Sequence, residues 1–481
     1  MGGQSDSCRS LSNTDPVIRR GRYAAATVAG RVAAASSRVA RKGGGTAIGG
    51  LVAQIICPGY VPRGLGQLSR LVLVSGTNGK TTTTALIVAA LRASGTSVWT
   101  NHTGSNLERG LAAELMRRGT WHGGLPAACH TTGVFEVDER AFAALLPRVT
   151  PAVVVLLDIF RDQLDRYGDL DTTARAWRHV VANLPDQTIV VANADDPLVV
   201  SVAQAHSGRM IWFGTDGVGN AVSPDPWADV RNCPQCGERL IYDTLTFAHL
   251  GRYRCPTGDL VRPEPDVGIL SANVFGVDRL EVALRSGEWT GGAALATPGL
   301  YSAYNCAAAI AVTGVLGIGP ADALKAIAHS GPSFGRAEVI HTPEHELVIL
   351  LTKNPSSANQ VLDLLSAEPQ ALDTLILLND GIADGEDVSW IWDVEFERLR
   401  AKRLTVGGIR AHDLSLRIKY SGVQPIDGDA VVELGISRPL DRAMERADGR
   451  LAVIATYTAM LALRDECVRR GWVDPFWDGG E

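Results

Sequence analysis

The stretch Leu71-Val72-Leu73-Val74-Ser75-Gly76-Thr77-Asn78-Gly79-Lys80-Thr81-Thr82-Thr83 constrains this chain more than any other. Its apolar, β-branched run has the pattern of a buried strand. Gly76 and Gly79 allow the sharp turn that follows, and a helix is expected to open at Thr81. A strand that turns through glycine into a helix aims backbone N–H groups and a positive helix end at one small volume, which suits phosphate. Lys80 can reach the outer phosphates of a nucleotide such as ATP, and Thr81 offers a hydroxyl to magnesium. Gly76, Thr77, Asn78, Gly79 and Thr82 complete the expected cradle. The plain alternative is a glycine-rich turn with a surface lysine, and the order of strand, glycines, Lys-Thr and helix argues against it.

At 481 residues the chain is too long for one hydrophobic core, so two or three domains are expected. From about residue 70 to 215, strand-like runs (Leu71–Val74, Ala152–Leu157, Thr188–Ala192) alternate with helical patterns. That alternation predicts a parallel sheet covered on both faces. Between about 220 and 265 it lapses into a small cysteine-bearing unit, then resumes to a helix over Tyr304–Leu316. Gly331-Pro332-Ser333-Phe334-Gly335-Arg336 reads as a boundary. A smaller, Rossmann-like α/β unit follows, with strands at Leu347–Leu351, Thr374–Leu378 and Leu404–Val406 and helices at Ser357–Leu365 and Tyr457–Arg469. The expected organisation is a disordered tail at 1–18, a nucleotide-binding domain at 19–335 interrupted by 220–265, and a second domain at 336–475. The nucleotide is expected in the cleft between the two domains.

The net charge of −6 implies no general attraction for nucleic acid, and no basic–aromatic surface accompanies the cysteines. Eight cysteines do not make a disulfide scaffold in this length, and the first residues are polar with no secretory leader. A reducing cytoplasm is therefore the expected compartment. No apolar run reaches the roughly twenty residues of a membrane span. Arg19, Arg20, Arg22, Arg31, Arg38, Arg41 and Lys42 suggest a helix with one basic face, either solvated or resting on anionic headgroups.

Phe135-Glu136-Val137-Asp138-Glu139 places acids after a short strand-like run, and Glu136 is a candidate magnesium ligand. Arg161-Asp162-Gln163-Leu164-Asp165-Arg166-Tyr167-Gly168 follows a buried strand, where polar groups face a ligand crevice. Cys233-x-x-Cys236 with Cys255 supplies three of the four thiolates of a zinc ribbon; His249 or Asp259 are candidate fourth ligands, or the unit holds no metal. Acids also crowd after the strand ending at Leu378, with Asp380, Asp384 and Asp387 as candidates for chemistry. Cys57, Cys129, Cys306 and Cys467 stand alone, without a glycine-rich nucleophile turn.

The usual phosphate loop carries a glycine where this chain has Val74, and the compact Gly-Thr-Asn-Gly-Lys-Thr form resembles the Mur ligase superfamily instead. Asn193-Ala194-Asp195-Asp196-Pro197, Tyr304-Asn305 and Gly335-Arg336 match that pattern in order. Asp162–Gly168, Asp384-Gly385-Glu386-Asp387-Val388-Ser389-Trp390 and Lys353-Asn354-Pro355 with Asn359-Gln360 resemble, more narrowly, the MurT subunits of lipid II isoglutaminyl synthases. The resemblance covers about residues 40 to 470. It implies a Mur-type ATPase domain with a zinc-ribbon-like insertion and a smaller C-terminal α/β domain. It also implies ATP-dependent amidation of the D-glutamate α-carboxylate of lipid II, with magnesium and ATP as cofactors and a GatD-type glutaminase subunit as ammonia donor. Under it, Asn305 would bond the adenine or ribose and Arg336 would meet phosphate. One of Asp380, Asp384 and Asp387 would help complete the partner's Cys–His pair. Two other readings share the phosphate loop: a single-chain Mur-type or folylpolyglutamate-type ligase, and a non-catalytic nucleotide-switch scaffold.

Overall fold

The computed structural model describes residues 17–39, 46–101, 106–120, 124–162, 170–221, 229–331 and 336–474. Nearly all of the expected tail at 1–18, the segment Gln163–Gly168 and the boundary residues Pro332–Gly335 lie outside them. Six parallel strands come first: β1 (Arg70–Ser75), β2 (Val98–Trp99), β3 (Thr132–Glu136), β4 (Val153–Leu156), β5 (Ile189–Asn193) and β6 (Met210–Thr215). A three-stranded antiparallel sheet, β7 (Asn220–Ala221), β8 (Ile241–Phe247) and β9 (Leu250–Arg254), interrupts them. The chain then rejoins the first sheet through β10 (Val267–Phe275), β11 (Arg279–Ser286) and β12 (Trp289–Leu295). The large sheet has the order β12-β11-β10-β6-β5-β4-β1-β3-β2.

The continuous apolar run of β1 is explained by where its side chains go. Leu71 and Leu73 enter one core with Leu111, Trp177 and Leu198; Val72 and Val74 enter the opposite core with Leu86, Ile87 and Ala308. A strand buried on both faces needs no polar alternation.

The C-terminal unit holds β13 (Arg336–His341), β14 (Glu346–Leu351), β15 (Leu372–Leu377), β16 (Ala401–Gly407), β17 (Val431–Val432) and β18 (Arg450–Ala455) in the order β13-β14-β18-β15-β16-β17. All pairs are parallel except β13 with β14. Here too alternate residues diverge: Val348 and Leu350 pack on one side, Leu347 and Ile349 on the other.

The helix Tyr457–Arg469 has the bounds its periodicity predicts. Three others start earlier than expected, among them Pro355–Ser366, expected from Ser357. The helix after the phosphate loop opens at Lys80, because Gly79 (φ +81°) is the left-handed residue that ends the turn. The Tyr304 helix runs from Leu300 to Val315. No helix among the described residues is long and apolar enough to cross a membrane.

Candidate functional site

The carboxyl ends of β1, β3 and β4 bring the turn at Gly76, the carboxylate of Glu136 and the segment from Asp158 to one place. The turn depends on its glycines. A Cβ on Gly76 would stand 2.7 Å from the Leu157 Cβ, and one on Gly79 would stand 2.3 Å from the Asn305 Oδ1. Beyond the turn, the Thr81 hydroxyl donates to Glu136 at 2.6 Å. Asn101 holds Glu136 from behind, accepting from its backbone N–H and donating to its carbonyl, both at 3.0 Å. A hydroxyl and a buried carboxylate side by side at the head of a helix are the oxygen donors that magnesium takes.

Lys80 is almost fully buried, and its ammonium donates to the Gly76 and Thr77 carbonyls and pairs with Glu139 at 3.2 Å. Burial works against its charge, but the carboxylates of Glu139, Asp138, Asp162 and Glu136 outweigh that and raise its pKa. Glu139 was not singled out by sequence. Asp138 instead caps the following helix, accepting from the Arg140 N–H at 3.1 Å. Asp158 accepts from the Asn78 N–H at 2.7 Å, and burial pushes its carboxyl up to about 7 despite that bond.

The second unit closes over this turn. Lys353 donates to the Thr77 carbonyl at 2.9 Å and pairs with Asp162, and the Asn354 amide donates to the Asn78 side chain at 3.3 Å. Asn354 also forms a capping box with Ser357 at the head of the helix Pro355–Ser366, which fixes its orientation. Arg161 adds a second bridge, pairing with Asp229 on one side and with Asp393 at 3.0 Å on the other. The Lys-Asn-Pro element was legible as a motif; its approach to a loop 276 residues earlier was not.

Between the two units lies a cleft whose walls include Phe160, Phe213, Phe247, Tyr304, Asn305 and Arg336. The Asn305 oxygen accepts from the Thr83 hydroxyl at 3.1 Å, while its buried Nδ2 has no partner. An unpaired buried donor on an aromatic wall, next to a turn that tolerates no Cβ, fits a purine nucleotide. Thr82 is buried with its hydroxyl unpartnered.

The three acids near the end of β15 differ. Asp380 pairs with Arg410 at 3.0 Å. Asp384 is buried and accepts from the backbone and hydroxyl of Thr458 at the head of the last helix. Asp387 is exposed and accepts from the N–H and hydroxyl of Ser389 at 2.8 and 2.9 Å, which lower its pKa.

The Sγ atoms of Cys233, Cys236 and Cys255 lie within 4.8 Å of one another. His249 does not join them. It is fully buried, with its ring 3.3 Å from Asp196 and 4.5 Å from the Phe160 ring. The Thr257 hydroxyl instead lies 2.8 Å from Cys255 and 3.3 Å from Cys236, and donates to Asp259 at 2.7 Å.

Residues 74–229 match the model of the Mur ligase middle domain, and residues 351–460 match that of the MurT ligase C-terminal region. The chain is 30% identical over 445 residues to the lipid II isoglutaminyl synthase (glutamine-hydrolyzing) subunit MurT of Streptococcus pneumoniae, covering 91% of this chain and 96% of that one. It is 29% identical to the MurT subunit of Staphylococcus aureus, covering 88% and 93%. In fold it is similar to a pseudomurein peptide ligase type C from Methanothermus fervidus (TM-score 0.62, 19% identity, 83% of this chain and 78% of that one). The MurF ligase of Thermotoga maritima, solved with ADP, is also similar (TM-score 0.60, 15% identity, 87% and 85%). With these matches spanning both units, the chain belongs to the MurT family of Mur-type, ATP-dependent ligases.

Proposed function

We propose that this protein uses ATP to amidate the D-glutamate α-carboxylate of the lipid II stem peptide, giving D-isoglutamine for peptidoglycan. Ammonia would come from a GatD-type glutaminase subunit. The names of the MurT relatives support the reaction class, and one observation carries the chemistry: Thr81 and Glu136 stand 2.6 Å apart beside buried Lys80, under a lysine from the second unit. Domain limits at 19–335 (with 220–265 inserted) and 336–475 fit this reading, the second unit acting as a Rossmann-like half of the cleft.

A carboxylate is a poor electrophile, so it must first acquire a leaving group. One carboxylate oxygen bonds to the γ-phosphorus of ATP as the bond to ADP breaks. Ammonia then adds to the acyl carbon, phosphate departs, and nitrogen loses a proton. The Gly79 N–H, the N–H groups that open the following helix, and Lys80 would hold the phosphates, with Lys80 turning from the Gly76 and Thr77 carbonyls toward them, while the Asn78 N–H stays on Asp158. Lys353 lies where it can add a second positive charge at the transferring group. Thr81 and Glu136 would hold magnesium, whose contribution is charge neutralisation. Asn305 Nδ2 is the free donor for the base or ribose, and Arg336 faces the same cleft.

For the glutaminase, an acid that completes another subunit's site must be accessible. That ranks Asp387 above Asp380, held by Arg410, and Asp384, held by Thr458. The three cysteines are read as a structural zinc-type site without a catalytic part, with the Thr257 hydroxyl beside them.

Lys80→Ala tests the central assignment. The variant, assembled with the glutaminase, should lose amidation of lipid II by about 10³-fold or more, while glutamine hydrolysis persists. Full-rate amidation by the variant would overturn the reading. Amino-acid addition by the unaltered chain without a partner would favour a single-chain ligase.

A further inference from the structure

The helix Thr46–Ile56 carries no charged residue, yet it lies at the surface. Its inner face is locked by backbone contact. A Cβ on Gly49 would stand 2.8 Å from the Gly30 carbonyl, and one on Gly50 would stand 1.9 Å from the Arg109 carbonyl. That packing turns Ile48, Leu51 and Ile55 outward on one face, 45%, 49% and 68% exposed. An aligned aliphatic stripe on an exposed helix marks an interaction surface.

Charge identifies the occupant. In a chain of net charge −6, every charged residue from Pro16 to Leu107 is an arginine or lysine. Arg22 donates to the Ile56 carbonyl at 2.5 Å, which seats a guanidinium at the end of the stripe. The acids of the adjoining helix Glu108–Arg118 are neutralised: Glu108 pairs with Arg148 at 2.6 Å, and buried Glu114 pairs with Arg117 and Arg118 at 3.0 and 2.5 Å. An apolar stripe alone would suit another protein equally well. A stripe edged by the Arg22 guanidinium, with the acids of its neighbouring helix neutralised, suits a layer of anionic headgroups over hydrocarbon.

We propose that the Ile48–Leu51–Ile55 face docks this protein on an anionic lipid bilayer. The inference rests on the lipid-linked acceptor proposed above, and it gives the protein a way to meet such a substrate. The test uses the full chain assembled with its glutaminase, sedimented with vesicles of phosphatidylglycerol and phosphatidylcholine or of phosphatidylcholine alone. Binding should require the anionic lipid and weaken with salt. The triple variant Ile48→Ser, Leu51→Ser, Ile55→Ser should lower it by about tenfold or more, whereas Ile48→Leu with Ile55→Leu should retain it. An unchanged unfolding temperature establishes that the triple variant is folded. The triple variant should also slow amidation of lipid II in vesicles while leaving that of a water-soluble, short-chain analogue unchanged. Equal vesicle binding by the triple variant overturns the inference, as does its loss of the glutaminase on gel filtration, which would make the stripe a protein interface. Loss of amidation of the soluble analogue by the unaltered complex would instead overturn the function.

Discussion

The phosphate cradle and the cysteine unit both rest on tight glycine turns, but only the cradle has its full set of groups. In the first cysteine turn the Gly237 N–H donates to the Cys233 carbonyl at 2.9 Å, with Gly237 at φ +82°. In the second, the Gly258 N–H donates to the Cys255 carbonyl at 3.1 Å, with φ +81°. The second turn is one residue shorter: its glycine is kept and the sulfur before it is missing. The cradle, by contrast, has strand, turn, lysine, hydroxyl and carboxylate in place, and it is covered by a second unit. A turn shape can persist while its chemistry thins out; the region that keeps its turn and its donor groups together is where function is expected to concentrate.

Substitutions should separate the two regions. Glu136→Ala removes the carboxylate beside Thr81, and kcat for amidation should fall by roughly 10²–10³-fold. Cys236→Ser should leave steady-state turnover almost unchanged. Comparable losses from both would erase the distinction. Lys353→Met, which breaks the contact with Thr77 and Asp162, should lower kcat by about 10- to 100-fold with little change in ATP affinity measured by calorimetry. If ATP affinity falls and kcat does not, Lys353 binds nucleotide instead of assisting transfer.

A separate effect concerns stability and pH. Asp158, at about 7, keeps its proton in the folded protein at pH values where the unfolded chain has lost it. Its contribution is therefore complete below about pH 4 and disappears as pH rises through about 7. Denaturant titrations of Asp158→Asn against the parent should show the difference shifting toward the variant by up to about 4 kcal/mol between pH 4 and 8. A pH-independent difference would contradict the burial argument. Smallest of all, withdrawing the proposed zinc from the cysteine site with a zinc-selective chelator, magnesium being kept in excess, should lower the unfolding temperature by about 2–4 °C and leave ATP affinity unchanged. A loss of ATP binding on chelation of the cysteine site would join the two regions functionally.

Legibility followed distance along the chain. The cradle could be read because its residues are consecutive and their order reflects one strand–turn–helix. Glu136 could be placed because it ends the neighbouring parallel strand, in register with Val74. Glu139 escaped notice because Asp138 and Glu139 look alike in sequence, and only helix capping by Asp138 frees its neighbour to face Lys80. Lys353 and Asn354 were visible as a motif, but a cross-domain contact leaves no local period to read. Asp380, Asp384 and Asp387 could not be ranked from sequence, since their difference lies in Arg410, Thr458 and Ser389, two of which come from distant segments. His249 was plausible as a zinc ligand by proximity in sequence, and packing against Phe160 and Asp196 removes it.

The most direct test of the acyl-transfer chemistry follows oxygen. Lipid II carrying ¹⁸O in both oxygens of the D-glutamate α-carboxylate is turned over with ATP and the glutaminase, and the inorganic phosphate is analysed by mass spectrometry. One labelled oxygen should pass to phosphate for each amide formed, with the other retained in the product. Unlabelled phosphate accompanying full amidation would contradict phosphorylation of the carboxylate.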